Sequence, residues 1–328
     1  MTNKQRWIIT GANGYLGGQL CRKLHACGSQ VCAIARSDKS LQHLQDMGIS
    51  CHTYDELPSL LSSGDVFVHC AGKVGNVGSW MDFVKTNRDW TLALFKLASE
   101  RGVGCFIYVS SVAALGYQSR ADSPVIEETT KPLHFESEYY GRSKLLAEKA
   151  LFQSAESQST RLVILQPGLI YGGRLFSSSQ SKLRRSVVVD SNQHIPLIHI
   201  NNFFDAIVRV AEHHASEGRY LVVDQEQPTL RELNALKMHY GVLRYAPWHI
   251  GKSGYWLLWF CRTVVSMLRG RSSDNVMARA QAEYCFQTRR LVYSTEKLQT
   301  QTGWFPSATL KDFLKESAVR RIKDGDAS

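Results

Sequence analysis

Trp7-Ile8-Ile9-Thr10-Gly11-Ala12-Asn13-Gly14-Tyr15-Leu16-Gly17 is the stretch that decides the fold. The apolar run up to Thr10 reads as a short buried strand. Gly11, Gly14 and Gly17 follow directly, and Leu16, Leu20 and Leu24 then recur at the spacing of an amphipathic helix. Glycines between a strand and a helix permit a tight turn, close approach of backbone to a pyrophosphate, and close packing of helix on strand. The helix end adds unpaired N–H groups and a positive dipole. The spacing G-x-x-G-x-x-G is not the commoner G-x-G-x-x-G, so its weight comes from its place after the first strand. Gly11, Asn13, Gly14, Tyr15, Leu16 and Gly17 are the candidate phosphate contacts.

Outward from this turn, short apolar runs alternate with helical patterns. Strands are expected at Val31–Ile34, Cys51–Tyr54, Val66–Cys70, Cys105–Val109 and Leu162–Leu165. Helices are expected at Tyr15–Cys27, Lys39–Met47, Phe83–Arg101 and Tyr139–Phe152. Strands that are apolar throughout need cover on both faces, which predicts a doubly wound α/β domain with a parallel sheet. The expected division is a dinucleotide-binding domain over 1–167 and a mostly substrate-binding region over 168–328. A helix near 203–214 and a strand near 219–224 return to the first domain. Thr229 with Glu232 three residues on is a capping-box start for a helix reaching Tyr240. Residues 177–181 read as a polar loop and 323–328 as a disordered tail.

The 328 residues are 44% hydrophobic and 21% charged, an ordinary globular balance long enough for a substantial core. The eight cysteines show no zinc-ligand spacing, so no metal is expected and the thiols read as buried and reduced. The net charge is +10, and 229–271 holds seven Lys/Arg against Glu232. Within it, Tyr255–Leu268 is rich in Trp, Phe and Leu but too short to span a bilayer, and Arg262 interrupts it. It suits either a helix packed on the substrate region or peripheral contact with an anionic membrane. No nucleic-acid-binding signature accompanies the charge. No leader is read at the polar N-terminus, and the expected location is cytoplasmic, with membrane-peripheral contact as the variant.

Chemistry-bearing residues fall at the ends of the expected strands. The second strand ends Ile34-Ala35-Arg36-Ser37, with no carboxylate for a ribose 2′-hydroxyl and an arginine suited to a 2′-phosphate. This favours NADP(H) over NAD(H), which stays open. Asp55 is a candidate for the adenine edge. Cys70-Ala71-Gly72 closes the fourth strand with small residues where a cofactor must pass. Ser110-Ser111 ends the fifth. Tyr140 and Lys144, four apart on a helix, share one face. An ammonium near a phenol favours the phenolate and lowers its pKa toward a useful value.

Taken in this order, Thr10–Gly17, His69–Gly72, Asn87, Tyr108–Ser111 with Gly116, Tyr140–Lys144, Gln166–Gly172, His199–Ala206 and Gly303–Pro306 resemble the extended short-chain dehydrogenase/reductase superfamily of the NAD-dependent epimerase/dehydratase type. Pro167-Gly168 is most similar to the 3β-hydroxysteroid dehydrogenase-like branch. The resemblance implies a Rossmann fold with a smaller C-terminal substrate-binding domain. It implies that Tyr140 is the acid–base residue, Lys144 lowers its pKa and binds the nicotinamide ribose, Ser111 rather than Ser110 is the catalytic hydroxyl, and Asn87 orders nearby backbone. Pro167 and Gly168 then lie against the nicotinamide. Val112-Ala113 after Ser111 replaces the Asp-Glu pair of sugar-nucleotide dehydratases. The implied function is an NADP(H)-dependent oxidoreductase interconverting a secondary alcohol and a ketone or aldehyde on a hydrophobic, sterol- or lipid-like small molecule. A nucleotide-sugar epimerase or reductase and a non-catalytic NADP(H)-sensing regulator are the alternatives, and relatives suggest a homodimer.

Overall fold

The structure, a computed structural model, describes residues 5–75, 78–116, 125–136, 138–172, 187–189, 194–243, 248–251, 254, 257, 260–261 and 291–323. Seven parallel strands form the central sheet: β1 (Arg6–Thr10), β2 (Gln30–Ala35), β3 (Ser50–Thr53), β4 (Val66–His69), β5 (Cys105–Val109), β7 (Arg161–Pro167) and β11 (Gly218–Val222). Their spatial order is β3-β2-β1-β4-β5-β7-β11. The order reverses between β1 and β4, which is where ligands bind in open sheets of this kind, at the carboxyl ends of the strands.

Successive strand residues serve opposite layers, as the pleat requires. Ile9, Val68, Ile107 and Leu165 face one core with Leu20, Phe203, Ile207 and Trp304. Ile8, Phe67, Phe106 and Ile164 face the other with Leu94, Phe95, Ala147 and Leu151. Helix α1 (Tyr15–Ala26) and the later α5 (Ile200–Glu212) cover the first face; α3 (Trp90–Glu100) and α4 (Tyr139–Ala155) cover the second. Fully burying each Leu, Ile or Phe contributes about 1.5–3 kcal/mol, so these two layers carry most of the hydrophobic stabilisation.

Several elements depart from the sequence expectation. The helix expected over Phe83–Arg101 begins earlier, at α2 (Trp80–Phe83), because Ser79 and Asp82 form a reciprocal capping box. It then passes through one π-helical stretch, Val84–Asp89, before α3. The expected Lys39–Met47 helix is a 3₁₀ turn, Asp38–Leu41, and one short α segment, Gln42–Gln45. Beyond Pro167 the chain makes short parallel pairs: β8 (Leu169–Tyr171) with β10 (Leu197–His199), β9 (Val187–Val189) with β12 (Trp248–Ile250), and β13 (Val292–Tyr293) with the earlier β6 (Val125–Ile126). Helices α6 (Leu230–His239), α7 (Glu296–Thr302) and α8 (Leu310–Lys323) also belong to this part. Thr229 and Glu232 make the expected capping box on α6.

Asn202 on α5 locks the end of the chain to this region. Its Nδ2 donates to Asp224 at 2.7 Å and to Ala308 O at 2.8 Å, and its Oδ1 accepts from Ser307 and Ala308 N–H at 3.0 and 2.9 Å. Trp304 Nε1 donates to Asn202 O at 3.1 Å. An aspartate here could not donate to both acceptors.

Cys21, Cys32 and Cys105 are buried as expected, but Cys27 and Cys261 are exposed; all described thiols are free. Cys27 lies just past the last turn of α1, where the chain reaches the surface. Among the described residues no helix is long and apolar enough to cross a membrane, and no His/Cys/Asp/Glu group could hold a metal. Most of Tyr255–Leu268 lies outside the described residues, with Leu257 and Phe260 described as exposed. The 177–181 loop and the residues after Lys323 also lie outside them.

Candidate active site

The site is assembled at the carboxyl edge of the sheet, from the ends of β1, β4, β5 and β7 and the start of α4. The glycine turn is compact because side chains have no room in it. Gly11 has φ of +69°, and a Cβ there would stand 2.8 Å from Ala71 N. A Cβ on Gly17 would stand 2.5 Å from Gly11 O. The first backbone bond of α1 is Gly18 N–H to Gly14 O at 3.0 Å, so the N–H groups of Tyr15, Leu16 and Gly17 point out of the helix end. No side chain caps this end and no acidic residue stands in its first turn. The turn therefore fits the phosphates of a nicotinamide dinucleotide. Tyr15 Oη donates to Gly172 O, which ties the turn to the residue after Tyr171. Asn13 and Gly14 are exposed at its tip.

Arg36 is exposed directly after β2, and Asp55 is exposed after β3. Both stand on the β2–β3 side of the glycine turn. Cys70, Ala71 and Gly72 leave β4 beside Gly11; burial pushes the Cys70 thiol up to about 12, so it is inert at neutral pH. A Cβ on Gly72 would stand 3.3 Å from Asn87 Oδ1 and 3.5 Å from Lys144 Nζ.

Asn87 is buried in the π-helical stretch, where a wider turn re-aims its side chain. Its Oδ1 accepts from Lys73 N–H at 2.7 Å, while its Nδ2 donates to Lys73 O and to Ser143 Oγ, each at 2.9 Å. Ser143 Oγ in turn donates to Tyr140 O at 2.8 Å. One amide thus fixes the loop after β4 to the turn of α4 that carries Tyr140.

The Tyr140 phenol is hydrogen-bonded to the Ser111 hydroxyl. Ser111 also caps the 3₁₀ turn Val112–Leu115, its Oγ accepting from Ala113 N–H at 3.1 Å. Ser110, by contrast, donates to Glu148 Oε1 on the far side and takes no part with the phenol. Lys144 is buried, donates to Val109 O at 2.7 Å, and lies 4.6 Å from the Tyr108 ring centroid and 6.0 Å from that of Tyr140. Desolvation pulls its pKa down to about 8, against the opposing pull of Glu148.

The expectation that Lys144 depresses the Tyr140 pKa needs correction. Burial raises the phenol above its ordinary value, and the Ser111 hydrogen bond is what opposes the rise. The physical reason is that the ammonium is engaged by the Val109 carbonyl and the Tyr108 ring face rather than by the phenol.

Pro167 ends β7, and Gly168 follows at a close backbone crossing. Gly168 N–H donates to Val222 O at 3.1 Å, and a Cβ there would stand 2.0 Å from Pro196 O. Three participants were not assigned from sequence. His69 bridges Thr10 Oγ1 at 2.6 Å and Thr91 Oγ1 at 3.0 Å, and burial drops its pKa to about 3, so it is neutral. Ser143 links Asn87 to Tyr140. Glu148 is a fully buried carboxylate four residues after Lys144, a helical spacing that the sequence did display.

The family model described as NAD dependent epimerase/dehydratase family matches residues 7–223. A UDP-glucose 4-epimerase of Vibrio cholerae is 26% identical over 95% of this chain and 94% of its own length. A 2-alkyl-3-oxoalkanoate reductase of Stenotrophomonas maltophilia (strain K279a) is 26% identical over 98% of this chain and 99% of its own. The solved structure of RMD from Pseudomonas aeruginosa complexed with NADPH superposes with a TM-score of 0.66 at 20% identity, covering 95% of this chain and 97% of that one.

Proposed function

This chain belongs to the NAD dependent epimerase/dehydratase family and is an oxidoreductase that works with a nicotinamide cofactor; we propose that it interconverts a secondary alcohol and a ketone or aldehyde on a hydrophobic, sterol- or lipid-like molecule, with NADP(H). The observation that carries this reading is the placement of the Ser111 hydroxyl against the Tyr140 phenol, whose pKa it lowers, with Lys144 buried one helical turn on and Val112 and Ala113 standing where elimination chemistry would need carboxylates. Arg36 at the end of β2, with no carboxylate there, supports the phosphorylated cofactor. Val74, two residues past Gly72, and Leu169, next to Gly168, are 71% and 53% exposed, which supports an apolar substrate. The full-length similarity to a reductase of alkyl-substituted oxoalkanoates points the same way.

A nicotinamide dinucleotide held by its phosphates at the glycine turn would supply or accept the hydride. Tyr140 Oη gives its proton to the substrate oxygen during reduction and takes it back during oxidation. Ser111 Oγ, already bonded to the phenol, is placed to donate to that same oxygen. Lys144, held by the Val109 carbonyl, is the donor for the nicotinamide ribose, and the Ser111 hydroxyl is the group that opposes the rise in the phenol's pKa. Asn87, through Ser143 and Lys73, holds these groups and the loop after β4 in register, so that transfer occurs between positioned partners.

The test is NADPH oxidation measured across steroid ketones, 2-alkyl-3-oxo acids and nucleotide sugars. Turnover with an apolar ketone is expected, and NADH should be the poorer cofactor. The second reading, favoured by similarity to the Vibrio cholerae enzyme, is a nucleotide-sugar epimerase. Interconversion of two UDP-sugars without net change in the cofactor, and no turnover of apolar ketones, would replace the first reading with the second.

A further inference from the structure

We infer that Glu148 is a positioning residue of the site: its buried carboxylate locks the end of β5 through Ser110 and is the counter-charge for the Lys144 ammonium. Ser110 lies between the two residues that matter most to the catalytic pair. Val109 O, before it, accepts from Lys144 Nζ, and Ser111, after it, is hydrogen-bonded to Tyr140. Ser110 Oγ donates to Glu148 Oε1, so the carboxylate sets the height of both neighbours.

Glu148 is itself held from three sides. Gln166 Nε2 donates to its two oxygens at 2.9 and 3.1 Å, and Gln166 is followed by Pro167 and Gly168. Arg219 on β11 pairs with it, Nε to Oε2 at 2.9 Å, and stacks its guanidinium 5.4 Å from the Phe152 ring centroid. One carboxylate on α4 thus joins the ends of β5 and β7 to β11. A buried carboxylate is costly unless paired and hydrogen-bonded; Arg219, Ser110 and Gln166 offset the cost here, although burial still holds the Glu148 pKa above the ordinary carboxylate value. Two of these contacts end beside residues of the site: Ser110 precedes Ser111, and Gln166 precedes Pro167.

The charged and titratable groups around Lys144 are Glu148 and Tyr140 from its own helix, His69 and Cys70 from β4, and Tyr108 from β5. His69 is neutral and the Cys70 thiol stays protonated at neutral pH. Glu148 is therefore the anion that offsets the burial of the ammonium. Removing its charge makes Lys144 give up its proton at lower pH, because the charged form loses its only nearby opposite charge among the described residues.

The inference rests on the proposed hydride transfer for its turnover measurement alone. The first measurement needs no substrate: the titration of Lys144, followed by NMR on lysine labelled at Cε and assigned with Lys144→Met. In Glu148→Gln the Lys144 titration is expected to move down by about one pH unit, whereas in Ser110→Ala, which keeps the carboxylate, it should stay in place. The second is the pH profile of ketone reduction. Ser110→Ala should lower kcat about ten-fold, with little change in KM and no shift of the alkaline limb; Glu148→Gln should lower kcat and move that limb down. If Glu148→Gln does not fold because Arg219 is left unpaired, Glu148→Gln/Arg219→Gln is read in its place. An unmoved Lys144 titration in the Gln variant overturns the counter-charge, and wild-type kcat in Ser110→Ala overturns the lock. Absence of turnover in the wild-type protein would count against the proposed function, while the NMR titration would still decide the role of Glu148.

Discussion

Two turns at the carboxyl edge of the sheet, Gly11–Gly17 after β1 and Gly168 after β7, use glycine for the same steric reason and differ in what they meet. Gly17 would strike Gly11 O, a carbonyl of its own turn. Gly168 would strike Pro196 O, which arrives from a distant segment paired beside it as β10. In the first turn Gly14 and Gly17 meet only atoms of the turn itself, and Gly11 alone meets another segment, at Ala71. The second is specified only when the region beyond Pro167 has folded back. The proposed cofactor half is thus set mainly by neighbouring sequence, and the proposed substrate half is a tertiary assembly.

The chemistry is expected where the halves meet, and the largest effect should be there. Tyr140→Phe removes the proton that hydride transfer requires, while the ring keeps its packing. A loss of kcat of about 10²–10⁴-fold is expected, with cofactor binding near wild type. A variant that kept full turnover on an identified ketone would remove Tyr140 from the mechanism, and with it the claim that the two halves share one chemical centre.

Next in size is the lock of the substrate half. Asn202→Asp loses the donors to Asp224 and Ala308 O and sets a second carboxylate beside Asp224, whose own pKa is already raised by burial. A loss of about 3 kcal/mol at pH 7 is expected. The sign with pH follows from linkage: carboxyls whose folded pKa lies above the unfolded value are more stable below the unfolded value, near ~4, and lose that stability as pH rises. The defect should therefore shrink between pH 7 and 5 in denaturant titrations. A pH-independent loss would mean that packing, not charge, joins Asn202 to the last segment.

The glycines test the comparison most directly. Gly17→Ala and Gly168→Ala should each cost about 1–3 kcal/mol, since backbone must shift to admit the methyl. Their functional effects should separate. The first should weaken NADPH binding by at least tenfold, and the second should leave that binding intact while raising KM for the ketone. Equal effects of both on cofactor affinity would show that the halves are not distinct.

The same distinction explains what could be read from the sequence. The strand–glycine–helix unit was legible because strand period, glycine spacing and the leucine stripe all lie within one short window. Tyr140 and Lys144 were legible for the same reason. The π-helical stretch around Asn87 was not, because the expected helix and the observed one have nearly the same apolar pattern; only the side-chain bonds to Lys73 and Ser143 reveal the wider turn. His69 read as one more residue of an apolar strand until its two threonine partners came from β1 and the α3 layer. The Tyr140 pKa was misjudged because helical spacing sets which residues share a face but not where an ammonium finds its acceptor.

The smallest expected effect belongs to Arg36, at the outer edge of the proposed cofactor half. Its side chain is exposed, so a bond to a 2′-phosphate would compete with water and be screened by salt. A charge-assisted contact at such a position is worth about a tenfold change in affinity. Arg36→Ala should therefore weaken NADPH about tenfold, leave NADH binding unchanged, and leave stability near wild type. The preference of the wild-type protein should also decline with added salt, because only the phosphorylated cofactor gains from the charge. If both cofactors weakened equally, Arg36 would be serving the turn rather than reading the phosphate. If neither weakened, the missing carboxylate at the end of β2 would be the whole of the preference, set by what no longer repels the phosphate rather than by what attracts it.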